Sequence, residues 1–126
     1  MKVMIVEDEN IIALELERIA QEAGHQTVGP LSTVEQALAY APRSDVALVD
    51  LSLSDGLSGA QLARRLIDRL GVDVIFVTGS PESVGNGIAG ALDVISKPFT
   101  DERIVSALSR AEAARRKDFD SSRAAI

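Results

Sequence analysis

Residues 46–56 read VALVDLSLSDG. Val46, Ala47, Leu48 and Val49 form an unbroken apolar run too short for a helix, the pattern of a strand covered on both faces. The run ends on a carboxylate, Asp50, and the chain then enters a loop of Ser, Asp and Gly. A charged group at the end of a buried strand has to be solvated, paired or put to use, because burying it alone is costly.

Four more runs of the same kind flank this one: KVMIV (2–6), TV (27–28), VDVIFV (72–77) and DVIS (93–96). Between them apolar residues recur at helical spacing: Ile12, Leu16, Ile19, Ala20 and Ala23; Val34, Ala37, Leu38 and Ala41; Leu62, Ala63, Leu66 and Leu70; Ile104, Leu108 and Ala111. Ser32 with Glu35, and Ser58 with Gln61, have capping-box spacing, and Pro81 after Ser80 suits the start of another helix. Gly24 and Gly71 stand where helix ends favour a left-handed residue. Five strands alternating with five helices predict an α/β fold, a doubly wound parallel sheet with right-handed crossovers. The domain is expected over 1–117, with a polar, frayed tail over 118–126.

The 126 residues suffice for one domain with a real core. Thirteen basic against nineteen acidic residues give a formal charge of −6, which argues against nucleic-acid or anionic-membrane partners. With no cysteine, disulfides and thiolate metal sites are excluded. No run approaches the length of a membrane span and no signal-peptide core follows Met1, so a cytoplasmic protein is expected.

In open parallel sheets of this class, ligands bind beyond the carboxyl ends of the strands. The first strand ends in Glu7-Asp8, the third in Asp50, the fourth in Thr78-Gly79 and the fifth in Ser96-Lys97-Pro98. Three carboxylates, a hydroxyl and an ammonium are therefore expected at one edge. Clustered carboxylates repel unless a cation or a raised pKa relieves them. Hard oxygen donors without His or Cys favour Mg²⁺ or Mn²⁺. A carboxylate can also attack phosphorus to give an acyl phosphate, with Lys97 and Thr78 placed to interact with the phosphoryl oxygens.

With the acidic pair after strand one, the Asp after strand three, the Thr after strand four and the Lys-Pro-Phe after strand five, residues 1–114 resemble the receiver domain of two-component response regulators. The resemblance implies a flavodoxin-like sheet of order 2-1-3-4-5. It also implies Asp50 as phosphoacceptor, Thr78 as switch hydroxyl and Lys97 as phosphate-binding ammonium, with Mg²⁺ on Glu7, Asp8, Asp50 and the Ser52 carbonyl. The expected partners are a sensor histidine kinase and a downstream protein or phosphotransfer partner, and the expected state is a monomer or weak dimer.

The chain departs from the common pattern in two places. Leu53-Ser54-Asp55-Gly56 lacks the usual loop proline, and Val94 replaces the aromatic that usually swings with the switch hydroxyl. FVTGS (76–80) and KPF (97–99) instead resemble a branch of single-domain receivers with a Phe-x-Thr-Gly motif. ESVGNGIAG (82–90) carries three glycines, each costing a helix roughly 0.8–1.0 kcal/mol relative to Ala. That segment is expected to be short or irregular before phosphorylation and to change with it. His25 and the basic run 114–117 read as structural or solvated groups. Two alternatives remain: a receiver cut from a hybrid kinase or DNA-binding regulator, and a small Mg²⁺-dependent phosphohydrolase. The hydrolase would need an acid two residues after its nucleophile, where this chain has Ser52.

Overall fold

The computed structural model describes residues 1–53, 59–83 and 90–124. Strands β1 (Lys2–Val6), β2 (Gln26–Leu31), β3 (Val46–Val49), β4 (Asp73–Thr78) and β5 (Asp93–Ser96) form one parallel sheet of order β2-β1-β3-β4-β5. Among the described residues there are four α-helices: α1 (Asn10–Glu22), α2 (Val34–Tyr40), α3 (Gly59–Leu70) and α4 (Asp101–Ala124). Where a helix was expected after Pro81, the described residues form a 3-10 turn, Pro81–Ser83. Most of 82–90, with Gly85 and Gly87, lies outside the described residues, as does Ser58.

Alternate strand residues feed two cores. Met4, Val6, Ala47, Val49, Val74 and Phe76 pack with Val34 and Ala37 of α2 and Leu62, Ala63 and Leu66 of α3. Val3, Ile5, Val46, Leu48, Ile75, Val77 and Ile95 pack with Leu16 and Ile19 of α1 and Ile104 and Leu108 of α4. Both faces of the sheet are therefore dry, which accounts for the near-continuous apolar runs.

The helix stripes hold except at the C-terminal ends of α1 and α3, where Ala23 and Leu70 are exposed. Gly24 (φ +93°) and Gly71 (φ +65°) are left-handed, and Gly24 and His25 donate to the carbonyls of Gln21 and Ala20 to close α1. The cap of α2 is shifted by one residue from its expected place. Thr33 Oγ1 accepts from Gln36 N at 3.2 Å, and Gln36 Oε1 accepts from Ser32 N at 3.0 Å. Glu35, the expected partner, is left on the outer face.

Two elements are longer than their sequence signals. β2 runs through Gly29 and Pro30, joined by a cis bond. It is an edge strand, so a residue without N–H is tolerated there. α4 continues to Ala124, through the residues expected to fray. Ala and Arg, good helix formers, make up ten of its 24 residues. Arg115 also ties it to the sheet, with Nη1 donating to Asp45 O at 3.0 Å and to Asp73 Oδ2 at 3.1 Å.

Candidate functional site

Sheet register brings the candidate residues together. Val6 pairs with Val49, so Glu7 and Asp50 leave neighbouring strands side by side, and Asp50 N donates to Val6 O at 3.0 Å. Thr78 pairs with Ser96, which places Lys97 next to it, and Lys97 N donates to Thr78 O at 2.8 Å. Glu7 N is tied to Leu31 O at 2.8 Å. Thr78 is thus the last residue of β4, and Glu7, Asp50 and Lys97 directly follow β1, β3 and β5, positioned by backbone hydrogen bonds that continue the ladders.

Glu7, Asp50 and Thr78 are the buried polar residues of the described core. Ligand atoms of Glu7, Asp8 and Asp50 lie within 4.8 Å of one another, with Asp8 the most open to solvent. Lys97 Nζ stands 2.6 Å from Glu7 Oε1, 3.5 Å from Asp50 Oδ2 and 4.0 Å from Glu9 Oε1. Its side chain is only 14% exposed, so it is no surface lysine. Asp50 Oδ1 accepts from Ser52 N at 3.3 Å, and Thr78 Oγ1 accepts from Ser80 N at 3.0 Å. That bond leaves the Thr78 hydroxyl proton free to be donated elsewhere. The Lys97–Pro98 bond is cis.

The electrostatics are unbalanced. Burial pushes the Glu7 carboxyl up to about 7, the Lys97 ammonium pulls it down, and the Asp50 charge raises it again. Burial works against the Lys97 charge, but the bond to Glu7 and the charges of Glu7, Asp50 and Glu9 hold its pKa above the usual lysine value. Glu7 Oε1 is buried, and among the described residues its close partner is the Lys97 ammonium. An under-satisfied buried carboxylate oxygen among three clustered acids fits a hard divalent cation, which takes oxygen ligands.

Three features were invisible in the sequence. Lys97 pairs first with Glu7 rather than Asp50; Glu9 joins the cluster; and Gly59 abuts the residues that follow β3, its N donating to Leu51 O at 2.8 Å. Val94, in the place of the usual aromatic, is half-buried against the core face that holds Phe76. His25 lies at the opposite end of the sheet, its Nδ1 3.3 Å from the Met1 amino nitrogen. Burial, and then that amine, lower its pKa. No described helix is long and apolar enough to cross a membrane.

Residues 3–109 match the response regulator receiver domain. The chain is 32% identical over 125 residues to the phyllosphere-induced regulator PhyR of Methylorubrum extorquens, covering 93% of this chain and 47% of that protein. It superposes on the response regulator PhyR from Brucella abortus with a TM-score of 0.89 at 26% identity, covering 99% of this chain and 53% of the other. The anti-anti-sigma factor PhyR from Bartonella quintana gives a TM-score of 0.82 at 29% identity, covering 99% and 51%. The chain thus spans about half the length of these relatives. Fold, strand-end chemistry and family match agree: the chain belongs to the response regulator receiver family, the phosphorylatable domains of two-component signalling.

Proposed function

We propose that Asp50 accepts a phosphoryl group from the phosphohistidine of a sensor histidine kinase, and that the modified surface alters binding to a downstream protein. The observation that carries this is the meeting of three carboxylates within 4.8 Å beside a lysine 3.5 Å from Asp50. A carboxylate oxygen of Asp50 forms the bond to phosphorus as the phosphorus–nitrogen bond breaks, and the departing imidazole keeps the electron pair and takes up a proton. Receiver domains typically bind Mg²⁺ at an acidic pocket; here Glu7, Asp8 and Asp50, with the Ser52 carbonyl, would hold it. Such an ion supplies positive charge to the phosphoryl oxygens when bound. Lys97 gives a second positive charge, and Thr78 a hydroxyl donor.

Partners are proteins in the cytoplasm: a kinase upstream and, downstream, a protein or phosphotransfer domain. The description of the Bartonella quintana relative as an anti-anti-sigma factor makes a sigma-controlling protein one candidate output. The net charge of −6 disfavours nucleic acid.

Incubation with acetyl phosphate and Mg²⁺, followed by mass spectrometry, tests the assignment. One added phosphoryl per chain on Asp50, lost in Asp50→Asn, is expected. Phosphate on Ser52 or another residue refutes it, and release of many equivalents per chain would identify a hydrolase instead.

A further inference from the structure

Lys97 and a divalent cation compete for the same carboxylate. Lys97 Nζ sits 2.6 Å from Glu7 Oε1, and Glu7 is also one of the three acids whose ligand atoms converge within 4.8 Å. The Glu7 side chain is 1% exposed, so two cations sharing it would repel with little solvent screening. Cation binding therefore requires the ammonium to leave Glu7 while staying near Asp50, where the phosphoryl oxygens will be.

The described residues offer one acid outside the cation set within reach. Glu9 Oε1 is 4.0 Å from Lys97 Nζ, and its side chain is 64% exposed, free to swing towards the lysine. Its backbone is held in place, because Glu9 N donates to Glu7 Oε2 at 3.3 Å. We propose that Glu9 is a positioning residue that receives the Lys97 ammonium when a divalent cation takes Glu7. One lysine then serves in turn as the site's internal counter-ion and as a ligand of the phosphoryl group. This rests on the cation assignment above.

Calorimetric titration of Mg²⁺ into the parent, Glu9→Gln, Lys97→Met and the double variant tests it without any phosphoryl transfer. Lys97→Met should bind Mg²⁺ about tenfold more tightly or better, since a charged competitor is gone. Glu9→Gln should weaken binding about two- to fivefold in the parent, the worth of an exposed ion pair. In the Lys97→Met background the same substitution should have a clearly smaller effect, because no displaced lysine needs a partner. Should Lys97→Met not fold, Lys97→Gln keeps a donor for Glu7 and provides the second background. Equal weakening in both backgrounds would make Glu9 only a nearby charge and overturn the proposal. Unchanged affinity on removing the lysine would overturn it too. Absence of Mg²⁺ binding in the parent would instead remove the cation assignment, and the handover with it.

Discussion

Gly59 sets how closely α3 approaches Asp50. A Cβ there would overlap the Asp50 carbonyl oxygen and come within 2.8 Å of Leu51 Cα, backbone atoms with little room to move. Gly59→Ala is expected to destabilise the fold by about 1–3 kcal/mol, the range for forced overpacking, and to slow phosphorylation by shifting Asp50. Urea denaturation measures the first effect; parent-like stability would show that the strand end yields freely. By contrast, Gly24 has nothing within 4 Å of its missing Cβ, so alanine there meets only the strain of φ +93°. Asp50 was legible because an acid ending an apolar run breaks a local pattern. Gly59, Glu9 and the Glu7–Lys97 pair were not, because close approach across strands leaves no mark on local spacing.

Strand limits followed the apolar runs closely: β4 runs Asp73–Thr78, one residue later than its run at 72–77, because pairing with β3 and β5 sets its ends. β1, β3 and β5 have the limits that their apolar runs suggest. β2 carries Gly29 and Pro30, breakers in a central strand but acceptable at an edge, so its length depends on where the strand lies in the sheet. The junction of β5 with α4 is also tertiary. Arg103 grips both carboxylate oxygens of Asp93 at 2.8 Å each, and Arg110 adds a third contact at 2.8 Å. The Arg103 bond, against a smaller opposing effect of burial, holds the Asp93 carboxyl below its ordinary value of 3.8. A depressed acid contributes stability above its unfolded pKa and loses it as pH falls through its lower folded value. Asp93→Asn should therefore cost about 2 kcal/mol at neutral pH, the scale of a charge-assisted bond. The gap between parent and variant should close below about pH 4. Denaturation at several pH values checks this; a gap that persists in acid would assign the effect to packing.

For the whole molecule, the doubly wound sheet gathers negative charge at one edge of an already acidic chain. Among the described residues, Glu7, Asp8 and Asp50 face one lysine there, Lys97, and two of the three acids are buried. The fold holds that repulsion in place because both cores and the β-ladders fix the strand ends, whatever their charges prefer. Any ligand that binds only the native state and relieves the repulsion must stabilise it by mass action. Mg²⁺ at ten times its dissociation constant is expected to add about 1.4 kcal/mol, a rise of several degrees in melting temperature. Asp50→Asn should raise the melting temperature without metal, because one of the opposed charges is gone, and should shrink the further gain from Mg²⁺. Thermal melts of both proteins with and without millimolar Mg²⁺ decide the matter. A parent protein indifferent to the ion would mean that the acids at the strand ends are balanced by Lys97 alone, and an Asp50→Asn variant with an undiminished response would remove Asp50 from the cation's ligands.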